Sequence, residues 1–398
     1  MSLPKSLNRI WKISLLSFII AAMTGFLYRY GMLYPLPDWL NFANIRHAHS
    51  HLMFFNWVSP PLMVLMIDRL IQNENVHAIR SFSNCLYVML FLGFLSFPFF
   101  LLYGYHSVAI GSASLPLAAI ISGFVMITWY WFGWLWMKYR NEDDSSIPLT
   151  FYEGALLALM VSSLGAWGVS IFQFTPIDSP LISSAMTHFF LAVFTEGWAV
   201  LTVLGLIWTK VETDPNSLPV KKEWLWIPIL IGSMLIFPYS LTESLVTTPM
   251  LISAMAGMLL IILSTALNVW LFFKNGLFKG FIWQTILILL CLKVLMQALA
   301  LLPIDIWPGE HGLRVLYLHL LLLGVISILL TDLFYPLKYF NIKVIFIISV
   351  ILVLISLLMI SGYWPPSLTP PGLYFWIMII ALLPVIPLTL IYFKSIKE

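Results

Sequence analysis

The residues best suited to chemistry in this chain are its histidines. Three stand within five residues, in the run Arg46-His47-Ala48-His49-Ser50-His51, and two more, His188 and His319, lie inside long apolar stretches. A neutral imidazole can bind iron, copper or zinc, and it exchanges protons near neutral pH. An ionisable side chain within a bilayer costs free energy, so it faces a cavity, a cofactor or a partner. At about 100° per residue, His47 and His51 share a helix face while His49 points nearly opposite, so one site takes two of the three. The plainer alternative is an interfacial loop for the cluster, and a hydrogen bond to a neighbouring helix for His188 and His319.

The elements that carry these histidines are membrane spans. The chain has 398 residues, 61% of them hydrophobic and 9% charged, with a mean hydropathy of +0.96, which excludes a soluble protein. A bilayer-spanning helix needs about 20 mostly apolar residues. Twelve stretches qualify, at about 11–33, 44–67, 82–104, 109–137, 152–175, 181–208, 225–245, 249–273, 281–302, 313–334, 343–362 and 372–393. The expectation is an all-α polytopic protein of twelve transmembrane helices, forming a single integral membrane domain over residues 1–398. The first stretch, Trp11 to Tyr30, has no small-residue cleavage site after it and reads as a retained helix. Cys85 and Cys291 both lie in apolar stretches, so there is no disulfide framework and no CxxCH for covalent haem attachment. The net charge of +3 sits in loops that topology explains, and nucleic acid is not implied. The sequence shows no internal repeat.

Twelve spans put both termini on one side. With the N-terminus inside, sixteen Lys and Arg fall in cytoplasmic loops or at inner helix ends, against only Arg29, Arg46 and Arg314 outside; Lys293 alone is mid-span. That asymmetry predicts N-in, C-in. Outer loops rich in Pro, Trp and Tyr, such as Tyr34-Pro35-Leu36-Pro37-Asp38-Trp39, suit interfacial anchoring. His106 and His311 then fall in solvated outer loops, and His77 faces the cytoplasm.

In this threading His188 on span six and His319 on span ten each lie roughly 10 Å below the outer surface, a depth the span-two cluster also reaches. Three spans thus place imidazoles in one layer, as a ligand set for a metal or a haem iron requires. Other intramembrane polar groups are Asn56, Gln173, Glu196, Glu243, Asn268, Lys293 and Gln297. Glu196 lies about 12 Å deeper than His188 and cannot share an iron with it. It is either a carboxylate that relays protons or holds water, or a protonated partner in an interhelical hydrogen bond. Lys293 calls for a carboxylate partner that the sequence does not name.

The histidine pattern resembles the haem-copper oxidase superfamily, specifically the twelve-span catalytic subunit I and its diverged relatives. The matching elements are His49-Ser50-His51-Leu52-Met53-Phe54-Phe55-Asn56-Trp57 on span two, Thr187-His188 on span six, and the run from Leu318-His319 to Gly324 on span ten. The resemblance implies a haem-ligating histidine on span two, a copper-ligating one on span six and haem ligation from span ten. It implies one low-spin b-type haem held by His319 and by a histidine of span two, either His51 or His47, with His49 the third candidate of the cluster. Arg46 and Arg314 lie at the outer ends of the same spans, placed either to pair with haem propionates or to anchor the interface. The implied setting is the bacterial inner membrane, with other respiratory subunits or an electron donor as partners.

The departures are as informative. Span seven reads Ile236-Phe237-Pro238-Tyr239-Ser240-Leu241-Thr242-Glu243 where the family has a His-His pair, and span ten offers Tyr317 where the family has a second histidine. His188 with Glu243 or Tyr239 is what remains for a copper or non-haem iron site. The expectation is a role in electron transfer or in handling oxygen or nitric oxide, without four-electron oxygen reduction. Two other readings compete: a non-haem metal protein using His47, His51, His188 and His319, and a cofactor-free twelve-span transporter.

Overall fold

The computed structural model describes residues 3–71, 75–141, 144, 146–173, 175, 179–211, 218–302, 311–335 and 339–396, with the side chains of Gln173, Glu243 and Ile396 outside the description. Its helices follow from the apolar runs, because a chain in hydrocarbon must satisfy each backbone N–H and C=O internally. Among the described residues eleven helices are long and apolar enough to cross a membrane: α1 (Lys5–Tyr30), α2 (Phe42–Leu70), α3 (Val76–Tyr103), α4 (Leu117–Tyr139), α5 (Ile147–Phe172) and α6 (Pro180–Trp208), then, after one shorter helix α7 (Glu223–Leu235), α8 (Thr248–Lys274), α9 (Phe281–Leu299), α10 (His311–Phe334), α11 (Phe340–Met359) and α12 (Leu373–Ser395). The chain is an all-α, polytopic integral membrane protein.

Two expectations are corrected. Of the twelve expected spans, the seventh is a helix of only 13 residues, followed by a 3₁₀ turn over Phe237–Ser240. Pro238 ends the α-helical pattern because it has no N–H to donate and its ring clashes with the carbonyl four residues back. The fourth span, expected from about residue 109, starts at Leu117. The residues before it form an antiparallel hairpin of β1 (Val108–Ile110) and β2 (Ala113–Leu115). Gly111, at φ +62°, makes its turn.

The helices group into two compact units, one of Met1–Arg140, Leu330–Met359 and Tyr363–Glu398, the other of Asn141–Leu329 and Ile360–Gly362. In the first, Trp11 stacks on Phe334 with ring centroids 3.9 Å apart and lies 5.4 Å from Trp57, which stacks on Phe18 at 4.2 Å. In the second, Asn268 of α8 accepts a hydrogen bond from Trp208 Nε1 of α6 at 2.8 Å and donates one to the Leu225 carbonyl of α7 at 2.8 Å.

Three helices differ from the rest. Over an apolar stretch of 18 residues in each helix, 89% of the residues are buried in α2 and in α6 and 78% in α10, against 33–56% in the other eight. Each of the three also contains a π-helical segment: Met53–Val58, Val193–Ala199 and Leu320–Ile326. In α2 the segment runs into Ser59-Pro60-Pro61, where the missing proline N–H groups release the regular ladder. Ser59 Oγ donates to the Phe54 carbonyl at 2.9 Å, and in α10 Ser327 Oγ donates to the Leu322 carbonyl at 2.8 Å, so both freed carbonyls are satisfied from five residues on.

Candidate functional site

The span-two histidines divide between two neighbours, as their spacing around a helix requires. His49 turns toward α1, where its Nδ1 lies 2.8 Å from the Ala21 carbonyl. A carbonyl only accepts, so Nδ1 carries the proton and Nε2 the lone pair. A Cβ on Gly25 would stand 3.2 Å from His49 Cε1, so the absence of a side chain there lets the ring lie against α1. His51 turns toward the end of α3. Its Nδ1–H donates to the His47 carbonyl at 2.9 Å, the Tyr105 hydroxyl reaches its Nε2 at 3.1 Å, and its ring stacks on Phe100 at 3.8 Å. Tyr105 lies just beyond α3, and burial holds its hydroxyl above the usual phenol range, so it keeps its proton and acts as the donor. His47 meets Tyr105 edge-on at 4.9 Å, and Arg46 is exposed.

In the second unit His319 repeats the His51 arrangement, with Nδ1–H donating to the Val315 carbonyl one turn back at 2.8 Å. Two residues earlier, Tyr317 points to another face of α10. Its hydroxyl donates to Glu196 Oε1, and the other carboxylate oxygen lies 2.8 Å from Lys293 Nζ, which also donates to Gln297 at 2.9 Å. The carboxylate partner that Lys293 needs is therefore Glu196, inside the π-helical segment of α6, and both side chains are fully enclosed. His188 is half-buried on α6, close enough to Arg314 to feel its charge, while Arg314 Nη1 donates to the Ser240 carbonyl at 2.7 Å. Tyr239 packs with Ala254, Met258 and Ala300 in an apolar cluster, and the Glu243 side chain falls outside the described residues. His106 is exposed beyond α3, and His311 is exposed at the first position of α10.

Haem iron takes neutral imidazole nitrogens, and metal-bound histidines commonly donate their other N–H to a carbonyl, which fixes tautomer and ring orientation. His49, His51 and His319 all commit Nδ1–H to a backbone carbonyl. Among the described residues no group of three His, Cys, Asp or Glu side chains is arranged to hold a metal ion, which leaves the four-histidine non-haem reading without an assembled centre. No protein-family model matches the chain, and no curated protein matches it in sequence. Its chemistry is therefore read from these side chains alone.

Three participants escaped the sequence. Tyr105 lies outside any apolar span and has no motif around it. Gly25 was one glycine among 21, and the Ala21 carbonyl leaves no trace in residue type.

Proposed function

We propose that this is a haem-binding protein of the bacterial cytoplasmic membrane, a diverged relative of the haem-copper oxidase subunit I, that carries one low-spin b-type haem and serves electron transfer or the handling of oxygen or nitric oxide. One observation carries the reading: the three most enclosed helices, α2, α6 and α10, are the ones that bear the membrane-embedded histidines, and each has a π-helical segment within a few residues after its histidine. π-helical segments inside α-helices occur frequently at functional sites. Lipid-facing helices need neither feature.

A bound b-type haem supplies a one-electron iron couple, and two imidazoles on its iron favour electron transfer over oxygen binding. The chain's own part is to present neutral nitrogens. His319 does so through its Val315 hydrogen bond, and a span-two histidine does so through its own bond to a backbone carbonyl. The reading assigns Arg46 and Arg314 to the haem propionates, Arg314 Nη1 also donating to the Ser240 carbonyl. The electron donor is a respiratory subunit or a reduced carrier of the membrane. The oxidase-like arrangement also implies a twelfth crossing by the segment around α7, with both termini cytoplasmic.

The test is a reduced-minus-oxidised spectrum of protein purified from haem-sufficient cells. A b-type spectrum is expected, with His319→Ala abolishing or shifting it and His106→Ala leaving it unchanged. A colourless wild-type protein would overturn the proposal.

A further inference from the structure

The turn between α8 and α9 is held in one shape. Gly276 N–H donates to the Phe273 carbonyl at 2.9 Å and Leu277 N–H to the Phe272 carbonyl at 3.2 Å, the paired bonds that close a helix through a left-handed residue, here Gly276 at φ +68°. Asn275 Nδ2 donates to the Leu271 carbonyl at 2.8 Å. Phe278 then drops back into the bundle, where it is buried and meets Phe272 edge-on at 6.3 Å. Lys274, Asn275, Gly276 and Lys279 are left exposed.

Two ammonium groups share this turn. Lys274 Nζ lies 5.4 Å from the centroid of the exposed Trp270 ring. Lys279 doubles back along the turn, so a methyl group on Gly276 would stand 3.5 Å from its Cε and 3.8 Å from its Nζ. No acidic residue occurs between Glu243 and Asp305, and among the described residues neither lysine has an acidic partner. The other exposed lysines held over aromatic rings are placed differently. Lys138, over Trp134 and Tyr139, is soon followed by Glu142, Asp143 and Asp144, and Lys394, over Tyr339, by Glu398.

Beyond the turn, each helix carries an exposed apolar stripe: Leu263, Trp270 and Phe273 on α8, and Phe281, Ile288 and Leu295 on α9. Spacings of three and seven residues keep each set on one helix face. Gln284, three residues after Phe281, interrupts the second stripe and is exposed too. An amide against bare hydrocarbon loses its hydrogen bonds, so its place one turn into α9 suits the depth of lipid ester oxygens.

We propose that this turn binds one anionic phospholipid, its phosphate between Lys274 and Lys279, its glycerol esters at Gln284 and its acyl chains along the two stripes. Both helices are long and apolar enough to cross a membrane, which puts the turn at the membrane surface. Charge complementarity selects the occupant: cations fixed at that surface attract anionic headgroups, each lysine being worth roughly fivefold in binding. A zwitterionic lipid would bring its own ammonium group against the two lysines. Trp270 adds an interfacial anchor beside the headgroup.

The test titrates the full chain in detergent with dioleoylphosphatidylglycerol or dioleoylphosphatidylcholine, and native mass spectrometry reads the dissociation constant of the tightest-bound lipid. Wild type is expected to prefer phosphatidylglycerol by about tenfold or more. Lys274→Gln combined with Lys279→Gln should weaken phosphatidylglycerol binding roughly 25-fold, abolish the preference and change phosphatidylcholine binding little. Both lysines are exposed, so the melting temperature of this variant in lipid-free detergent should equal that of wild type. Lys138→Gln, which removes another exposed lysine, should keep the wild-type preference. Equal binding of the two lipids by wild type, or unchanged phosphatidylglycerol binding by the double variant, would overturn the assignment. So would an equal loss in Lys138→Gln, by showing that diffuse positive charge is enough. None of these readouts depends on haem.

Discussion

Lys293 Nζ lies 2.8 Å from Glu196 Oε2, and both side chains are shut off from solvent, at 0% and 1% exposure. Two opposite charges enclosed by α6, α9 and α10 within one unit neutralise each other, and Tyr317 and Gln297 supply further hydrogen bonds. Removing one partner is worse than removing both, because a lone buried charge stays desolvated without compensation.

Lys293→Met is therefore expected to destabilise the protein by about 3–5 kcal/mol. The double substitution Lys293→Met with Glu196→Gln should recover much of that loss. Tyr317→Phe removes a single hydrogen bond to a charged group and should cost about 1.5–3 kcal/mol. Thermal unfolding in detergent, followed by the monodisperse fraction, ranks the variants. A double variant no more stable than Lys293→Met would show that the pair does not act as a unit.

The spans were legible because hydropathy averages over about 20 residues, and a lipid-facing or enclosed helix satisfies that average regardless of its neighbours. Lys293 announced its need for a carboxylate by lying mid-span. Which carboxylate answered depended on how α6 and α9 pack, and residue type does not encode that. The same limit hid the Tyr105–His51 bond, since Tyr105 sits in a connection whose path no periodicity describes. The π-helical segment of α2 had a local cause in Pro60-Pro61. Those of α6 and α10 contain only Gly197 and Gly324, and so left no such mark. The helix of span seven is shorter than expected because apolar composition continues through Pro238, where the helical hydrogen-bond pattern cannot.

Asn56, in the π-helical segment of α2, donates to the Leu90 carbonyl of α3 at 3.1 Å and lies directly over Gly93. A methyl group on Gly93 would overlap Asn56 Oδ1 and stand 2.8 Å from its Cγ. Gly93→Ala should cost about 1–3 kcal/mol through overpacking. Adding Asn56→Ala should relieve the overlap and return part of that stability, whereas Asn56→Ala alone should destabilise. Unfolding of the three variants in parallel checks the coupling; strict additivity would show that the two residues do not meet.

The direction of the C-terminus depends on the segment around α7. Its 13 helical residues rise about 20 Å and the 3₁₀ turn over Phe237–Ser240 adds about 8 Å, close to the roughly 30 Å of a bilayer's hydrocarbon core. Pro238 and Tyr239 in that turn are buried, which is the condition under which irregular backbone is tolerated at membrane depth. A reporter active only in the periplasm, fused after Lys394, is expected to be silent, and a fluorescent cytoplasmic reporter at the same place to be bright. Periplasmic activity would mean that the segment does not cross.

The residues at span seven also bear on what the protein does with oxygen. In the haem-copper oxidases, the relationship proposed above, four-electron reduction uses a haem facing a copper held by three histidines. On that proposal only one of those positions, that of His188, would be filled. The run Ile236 to Glu243, set against the family's His-His pair, has no histidine and includes Tyr239 and Ser240. The first packs against Ala254, Met258 and Ala300, and the carbonyl of the second receives Arg314. A phenol in an apolar cluster is a poor ligand for cuprous copper, which prefers soft donors, and a carboxylate such as Glu243 suits iron better than copper. The purified protein, supplied with a reduced quinol or cytochrome, is therefore expected to consume oxygen far more slowly than a four-electron oxidase. Metal and haem content would be measured on the same sample. Two haems and one copper per chain, with oxidase-like turnover, would show that other residues complete the copper site.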